Sequence, residues 1–211
     1  LNEHIASQIY ANFAFAPTLG QKKIIEALAS WLSDADTERI FMLNGYAGTG
    51  KTSIIAAFVA TLKKLRIKPV MLAPTGRAAK VMARHTGLGA STIHKKIYRQ
   101  KSSADPEPGF SLDFNREKDA CFIVDEASML SASADAGSPF GSGSLLDDLF
   151  RYVRQGTRCR ILFVGDDAQL PPVGHDRSPA LDPDFMAAYG AVEYGTLDEV
   201  MRQSDDSGIL F

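Results

Sequence analysis

The sequence predicts an α/β fold in which a doubly wound, mostly parallel sheet carries helices on both faces. Short apolar runs of strand length alternate along the chain with segments of helical periodicity, an order typical of parallel sheets. Polar motifs follow these apolar runs, and ligands of such sheets bind beyond the carboxyl ends of the strands. The 211 residues, 45% of them hydrophobic, are enough for one such domain with a buried core.

The elements can be assigned in chain order. Apolar residues at helical spacing predict helices over 3–12 and 18–33, with Thr18 as the N-cap of the second. The apolar run 39–43 predicts a buried first strand, and a helix is expected from Lys51 to about Arg66. Further strands are predicted at 70–73, 122–124, 161–164 and 192–194, and further helices at 76–84 and 145–154.

Two segments interrupt this alternation. Residues 102–118 are polar, with Phe110, Leu112 and Phe114 at alternating positions, which predicts a small β-hairpin insertion. Residues 131–144 are rich in glycine and serine and are predicted to form a flexible loop.

Charge is distributed unevenly along the chain. The formal net charge is only −2, but no Asp or Glu occurs in the 52 residues from Ser53 to Ala104. A basic block of this size is the electrostatic pattern expected for contact with a nucleic-acid backbone. The alternative is a set of solvated helix faces, which we favour for its first three members. The block comprises Lys63, Lys64, Arg66, Lys68, Arg77, Lys80, Arg84, Lys95, Lys96, Arg99 and Lys101.

Composition also indicates the compartment. Cys121 and Cys159 are the only cysteines, and both begin strand-like apolar runs, which predicts two buried free thiols rather than a disulfide. Free thiols are typical of a reducing cytoplasm. No apolar run approaches the roughly 20 residues of a membrane span, and the N-terminal residues lack the pattern of a secretory signal.

The most specific motif is Gly45-x-x-x-x-Gly50-Lys51-Thr52, which follows one predicted strand and opens a predicted helix. This is the pattern and context of a P-loop. Its glycines let backbone N–H groups curl around phosphates, and the helix N-terminus adds partial positive charge. Lys51 is expected to reach the β- and γ-phosphates, and Thr52 to ligate Mg²⁺. The predicted phosphate cradle comprises Gly45, Ala47, Gly48, Thr49, Gly50, Lys51 and Thr52.

Acidic and amide side chains follow two other predicted strands. Asp125 is expected to hold Mg²⁺ through water, and Glu126 to orient and deprotonate the attacking water. Gln169 has an uncharged amide that can contact a γ-phosphate. The segment around Gln169 can equally be a turn capped by Asp166 and Asp167, and these residues alone do not decide between the two interpretations.

Two further motifs have both a structural and a nucleic-acid interpretation. In Pro74-Thr75-Gly76-Arg77, Thr75 suits a helix N-cap and equally a phosphate of a nucleic-acid backbone. In Ser91-Thr92-Ile93-His94, the imidazole is as suited to polar packing as to nucleic-acid contact.

Together, and in this order, the motifs resemble the first RecA-like domain of superfamily 1B DNA helicases, the RecD-like and Dda-like group. The resemblance covers about residues 17–203 and implies a RecA-like P-loop NTPase fold. It also implies an ATP-dependent motor that moves 5′-to-3′ on single-stranded DNA. The alternatives are an RNA helicase of the same superfamily and a nucleotide-dependent binding module without turnover. The motifs are Gln21, Gly-Tyr-Ala-Gly-Thr-Gly-Lys-Thr, Ala-Pro-Thr-Gly-Arg-Ala-Ala, Ser-Thr-Ile-His, Asp-Glu-Ala-Ser, Gly-Asp-Asp-Ala-Gln-Leu-Pro-Pro-Val-Gly and Met-Arg202-Gln.

The resemblance implies roles for individual residues. Gln21 would read the adenine edge of ATP, Gln169 would sense the γ-phosphate, and Arg202 would reach the γ-phosphate from the end of the domain. The 102–118 insertion would act as a strand-separating pin, where Phe110 or Phe114 either stacks on a base or packs within the hairpin. The residues implied to contact single-stranded DNA are Pro74, Thr75, Gly76, Arg77, Thr92 and His94.

The resemblance also implies a domain plan. Residues 1–16 are a lead-in helix, 17–203 the ATPase domain, and 204–211 the start of a linker. Helicases of this superfamily need a second RecA-like domain to complete the ATP site, so this chain is interpreted as part of a longer protein. Alone it is expected to turn ATP over poorly.

Overall fold

The computed structural model describes residues 1–101, 109–132, 138–169, 172 and 177–199. In these ranges the helices are α1 (Asn2–Ala11), α2 (Leu19–Ser33), α3 (Lys51–Lys64), α4 (Gly76–Thr86), α5 (Ile93–Ile97), α6 (Leu145–Gln155) and α7 (Pro183–Met186). The strands are β1 (Ile40–Gly45), β2 (Lys68–Ala73), β3 (Ala90–Thr92), β4 (Tyr98–Gln100), β5 (Phe110–Leu112), β6 (Ala120–Val124), β7 (Arg160–Gly165) and β8 (Val192–Leu197).

Six strands form the main sheet in the order β3-β2-β6-β7-β1-β8, and every pairing is parallel. The predicted doubly wound α/β fold is therefore confirmed. In the register, Val124 lies opposite Phe163, and Gly165 lies opposite Asn44. The carboxyl ends of β6, β7 and β1 are thus neighbours, which brings the motifs that follow them to one edge of the sheet.

The sheet is covered on both faces because alternate residues of each strand point to opposite sides. Phe41 and Leu43 join a core with α1, α2 and α3, whereas Ile40 and Met42 join a second core with α6. Trp31 on α2 is fully buried and lies against Phe41 at 5.6 Å between ring centroids. Burial of each such side chain contributes roughly 1.5–3 kcal/mol.

The start of α2 confirms the predicted cap. The Thr18 hydroxyl accepts a hydrogen bond from the backbone N–H of Gln21, and the Gln21 side-chain oxygen accepts one from the N–H of Thr18. This reciprocal capping box satisfies two amides that a helix start leaves without partners. It also fixes Gln21 at the point where the helix faces the P-loop.

Four short elements, β3, α5, β4 and α7, were not predicted. The edge strand β3 and the helix α5 are only 3 and 5 residues long, too short for a periodic pattern to develop. The predicted hairpin exists, but its boundaries need correction. Its first strand is β4, which precedes the range 102–118 and pairs antiparallel with β5. Residues 102–108 lie outside the described part of the chain.

The predicted flexible loop is partly described. Within it, residues 138–144 are held by hydrogen bonds, including one from the N–H of Phe110 to the oxygen of Pro139 at 2.8 Å. Residues 133–137, Arg202 and the predicted linker 204–211 lie outside the described ranges.

Both cysteines are free and buried, as predicted. The cytoplasmic location inferred from them stays a prediction. Among the helices described, none combines the length and apolar composition that crossing a membrane requires.

Candidate functional site

The P-loop joins β1 to α3 through backbone that favours glycine. Gly48 and Gly50 have φ values of 81° and 89°, in the left-handed region. Gly45 is required for a different reason. A Cβ at this position would lie 2.8 Å from the carbonyl oxygen of Leu197 and 2.9 Å from the Thr49 hydroxyl. The end of β1 can therefore lie this close to Leu197 of β8 and to Thr49 only without a side chain at position 45.

Lys51 opens α3 and is turned back onto its own loop. Its ammonium donates to the carbonyl oxygens of Gly45 and Tyr46, the second at 2.9 Å. Burial lowers the pKa of Lys51, and the charges of four acids oppose that shift. No ion pair joins Lys51 to an acid within the described residues, so its charge is held near the acids without being neutralised by contact. These acids are Asp166, Asp125, Glu126 and Asp167.

Two of these acids follow β6 directly. Asp125 accepts a hydrogen bond from the backbone N–H of Glu126 at 3.0 Å. Burial raises the pKa of Asp125, although that hydrogen bond and the positive charges of Lys51 and His85 oppose the shift. Burial and the neighbouring charge of Asp125 raise the pKa of Glu126 as well. Two adjacent acids with raised pKa values form a site that gains from an added positive charge.

Glu126 also adopts a left-handed backbone conformation, with φ at 54°. Left-handed backbone is uncommon for residues other than glycine and is often found at functional sites. It occurs here at the step from β6 into the 3₁₀ turn Ala127–Met129.

Gln169 follows β7 and lies next to Glu126. A hydrogen bond from Gln169 lowers the pKa of Glu126 and so opposes the effect of burial. The buried Ser128 hydroxyl donates to the side-chain oxygen of Gln169 at 3.4 Å. The segment is also a capped turn, because Asp166 accepts from the N–H of Ala168 at 3.0 Å. The two interpretations that the sequence left open are therefore compatible.

Gln21 lies against the P-loop. It is 1% exposed, and its amide nitrogen donates to the carbonyl oxygen of Thr49 at 3.2 Å. Because its oxygen caps α2, both ends of the amide are used by the protein itself. Gln21 thus ties the start of α2 to the phosphate loop, and its predicted contact with adenine stays a prediction.

Asn44 is a site residue that the sequence analysis did not identify. Its side-chain oxygen accepts from the N–H of Asp167 at 3.0 Å, and its nitrogen donates to the Tyr194 hydroxyl at 3.0 Å. Asn44 therefore joins the end of β1 to the Gln169 loop and to β8. The sequence did contain a signal for Asn44, because it is a polar residue at the end of an apolar strand. A buried amide at such a position needs hydrogen-bond partners.

The motifs that follow β2 and β3 lie side by side. Ala73 is opposite Thr92 in the parallel register. Thr75 and Thr92 are both N-caps, accepting from the backbone N–H groups of Ala78 and Lys95 at 3.2 Å each. Gly76 and Arg77 are exposed, whereas Pro74 is partly buried. At the β3 and β2 end of the sheet, the carboxyl edge therefore presents two capped helix starts.

His94 and Phe110 lie in an aromatic cluster. The His94 ring meets Phe140 edge-on, with centroids 4.9 Å apart, and Phe110 stacks on Phe140 at 4.6 Å. Burial lowers the pKa of His94. Phe110 thus packs within the hairpin region, as one of the two interpretations predicted, while Phe114 is 63% exposed.

Part of the basic block is neutralised inside the fold. Glu117 accepts hydrogen bonds from Lys68 at 2.7 Å and from Lys96 at 2.8 Å. Arg99 lies 3.8 Å from Asp113. The exposed charges of the block that are nearest the motifs after β2 belong to α4, namely Arg77, Lys80 and Arg84.

Residues 18–209 match the AAA_30 family, described as an AAA domain. The chain is 31% identical over 163 residues to the ATP-dependent RecD2 DNA helicase of Deinococcus radiodurans, covering 74% of this chain and 19% of that protein. It is 27% identical over 157 residues to the ATP-dependent DNA helicase Pif1 of a Psychrobacter species, covering 69% of this chain and 22% of that protein. The chain thus spans about a fifth of these relatives.

Solved structures share the fold. The Pif1 helicase from Bacteroides in complex with ADP-AlF3 and ssDNA superposes with a TM-score of 0.52 at 20% identity, covering 91% of this chain and 44% of that one. The Pif1 helicase from Candida albicans superposes with a TM-score of 0.54, also at 20% identity, over 91% of this chain and 42% of that one. The chain therefore belongs to the AAA_30 family, with the RecA-like P-loop NTPase fold and the motif set of the superfamily 1B helicases.

Proposed function

We propose that this chain is the first RecA-like domain of an ATP-dependent DNA helicase motor that moves 5′-to-3′ on single-stranded DNA. The observation that carries the proposal is the meeting of Lys51, Asp125, Glu126 and Gln169 at one edge of the sheet, where Lys51 lies close to the charges of both acids and Gln169 is hydrogen-bonded to Glu126. The matches to RecD2 and Pif1, both named as ATP-dependent DNA helicases, support it.

ATP phosphates fit the start of α3. This helix has 14 residues, and its N-terminus adds partial positive charge. Lys51 sits on a flexible stem and is bonded only to backbone carbonyls among the described residues. It can exchange these acceptors for phosphate oxygens, which are better partners for an ammonium. In this proposal Gln21 contacts the adenine edge once its amide is released from the loop.

Mg²⁺ would be held by Thr52 and Asp125 and, when bound, would neutralise charge on the phosphate oxygens. The raised pKa of Asp125 supports this assignment, because a cation relieves the cost of a buried carboxylate. Glu126 would orient the attacking water and take its proton, and a raised pKa makes it a stronger base. Gln169 would contact the γ-phosphate and lose that contact on hydrolysis. Arg202 and a second RecA-like domain would complete the site.

Single-stranded DNA would lie across the ends of β2 and β3. The hydroxyls of Thr75 and Thr92 each cap one backbone N–H, so the remaining N–H groups of the two first turns and the exposed Arg77 are the groups suited to phosphate contacts. We assign this surface to Pro74, Thr75, Gly76, Arg77, Thr92 and His94. The hairpin of β4 and β5 would act as the strand-separating pin, and the exposed Phe114 is the aromatic side chain beside it that is available to stack on a base.

The test is strand displacement by the full-length protein that carries this domain. Duplexes with a 5′ or a 3′ single-stranded tail, made of DNA or of RNA, are compared with and without ATP and Mg²⁺. We expect displacement only of the 5′-tailed DNA, and only with both. Equal displacement of tailed RNA would indicate an RNA helicase, and nucleotide binding without hydrolysis would indicate a binding module.

A further inference from the structure

A buried carboxylate outside the ATP site lies at the foot of the hairpin, defined here as β4 and β5. Asp148, in the first turn of α6, is 0% exposed. One of its oxygens, Oδ2, accepts from the Tyr98 hydroxyl at 2.8 Å and from the backbone N–H of Ser142 at 2.8 Å. Tyr98 is the first residue of β4, so this carboxylate joins the hairpin directly to a helix of the main domain.

The second strand of the hairpin is held by the segment that leads into α6. Phe110, on β5, stacks on Phe140 at 4.6 Å and 21° between ring planes. Its N–H donates to the oxygen of Pro139 at 2.8 Å, and its carbonyl accepts from the N–H of Gly141 at 3.0 Å. Ser142, which donates to Asp148, follows immediately. Both strands are therefore fixed to the same short stretch of chain, and that stretch is fixed to Asp148.

The chain packs tightly against Tyr98 and Asp148 at Gly141. Gly141 has φ at 45°, and a Cβ there would lie 2.6 Å from a ring carbon of Tyr98 and also against the Asp148 carboxylate. The other oxygen of Asp148, Oδ1, has no hydrogen bond in the described residues and lies 3.6 Å from Arg151. A buried carboxylate is a costly choice if packing is the only requirement, because an apolar residue of similar size is as stable or better. Its oxygen is used here to hold two separate segments at one point.

We propose that Asp148 is a positioning residue for strand separation, because its two hydrogen bonds make the hairpin and the ATPase domain move as one body. An isolated two-stranded hairpin is marginally stable in water, and each strand here has only three residues. A pin that pushes against a duplex must transmit that force to the motor, and an unanchored hairpin would bend instead. The inference rests on the proposed function, which assigns strand separation to this hairpin.

The fold provides a matched control one residue away. The Tyr189 hydroxyl donates to Asp147, so the same helix carries a second tyrosine–aspartate hydrogen bond. That bond fastens the chain that follows α7 and makes no contact with the hairpin. Removing either hydroxyl deletes one hydrogen bond to a carboxylate on α6, but only the Tyr98 bond reaches β4.

The experiment uses the full-length protein with Y98F, D148N and the control Y189F. It measures amide hydrogen exchange at residues 98–100 and 110–112, displacement of 5′-tailed DNA, and ATPase activity stimulated by single-stranded DNA. For Y98F and D148N we expect hairpin exchange about tenfold faster or more, since Y98F removes a hydrogen bond to a charged group and D148N removes the charge that strengthens both hydrogen bonds. We expect displacement to fall about fivefold or more while ATPase stays within about twofold. Y189F should change neither hairpin exchange nor displacement.

Each other outcome has a defined meaning. Unchanged hairpin exchange in both variants would overturn the anchor, and so would an equal effect of Y189F. Faster exchange with unchanged displacement, or ATPase falling in step with displacement, would overturn the positioning role. If the unaltered protein displaces no strand, the proposed function fails, whereas the exchange data still decide whether Asp148 anchors the hairpin. Should D148N fail to fold, Y98F carries the test, because it removes a single hydroxyl.

Discussion

Two groups of acidic side chains differ in how their carboxylates are bonded: Asp125 and Glu126 are half-buried at the P-loop edge of the sheet, and Asp148 is fully buried at the foot of the hairpin. At the P-loop edge, Asp125 and Glu126 have raised pKa values, and the nearby Lys51 donates to backbone carbonyls instead of to them. At the foot of the hairpin, Asp148 accepts two hydrogen bonds at 2.8 Å. The difference distinguishes a carboxylate that is available to a ligand from one that is used by the protein itself.

Glu117 shows a third arrangement, in which the carboxylate is paired directly with cations. Burial alone would raise its pKa, but hydrogen bonds and charges from Lys68 and Lys96 lower it overall. This direct pairing satisfies the carboxylate and removes two cations from the basic block. Among the described residues Asp125 and Glu126 form no such direct ion pair, burial raises the pKa of each, and they are the two acids proposed for Mg²⁺ binding and for water activation.

The largest effect should come from the cation of the P-loop edge. K51A in the full-length protein is expected to lower ATPase stimulated by single-stranded DNA by about 100-fold or more, because a positive charge aimed at the transferred phosphate is lost. Steady-state phosphate release measures it. K63A, an exposed lysine at the other end of the same helix, is the control and should keep the full rate. A K51A protein with an undiminished rate would refute the assignment of the site.

A substitution at the foot of the hairpin should lower the stability of the fold. Y98F is expected to lower the free energy of unfolding by about 1.5–3 kcal/mol, because the hydroxyl bonds a buried carboxylate. Urea unfolding of this chain without nucleotide measures it. Y10F is the control, since the hydrogen bonds of the Tyr10 hydroxyl, to Glu26 and to the backbone oxygen of Lys22, are exposed and long at 3.5 Å each. Equal losses in the two variants would mean that burial of the acceptor does not matter.

The smallest expected effect is a gain in stability on substitution of Glu126, whereas most substitutions lower stability. Because the folded-state pKa of Glu126 is raised above its unfolded value, the folded chain binds that proton more tightly. Ionised Glu126 therefore costs stability at neutral pH, and that cost is relieved as pH falls through the raised pKa. E126Q should unfold at a higher temperature than the unaltered chain at pH 8, by a few degrees at most.

The E126Q difference should shrink as the pH approaches 5. Thermal unfolding without nucleotide or Mg²⁺ at several pH values checks this dependence. E3Q, at an exposed acid on α1, provides the reference. A constant difference at all pH values would indicate a packing effect rather than a charge effect.

Local sequence patterns predicted much of the fold. The buried strands β1, β6 and β7 were predicted because each is a continuous apolar run, and α3 because glycines and Lys51 mark its start. The edge strand β3 and the helix α5 were missed because a few residues show no period. The first hairpin strand was missed for a related reason, since β4 follows α5 without any intervening turn. The contact of Arg202 with the γ-phosphate stays a prediction, since this residue lies outside the described ranges.

The sequence by itself determined a parallel α/β sheet with a phosphate loop after one strand and acids after another. Those features depend on residues that are close together in the chain, because glycine spacing, apolar runs and helix periodicity are local patterns. Tertiary structure alone decided which polar groups satisfy one another. Asn44 meets the Gln169 loop across 123 residues, and Asp148 meets Tyr98 across 50. Such pairings depend on strand order and helix packing, and so only the folded chain separates the carboxylates it uses for its own anchoring from those it leaves for a ligand.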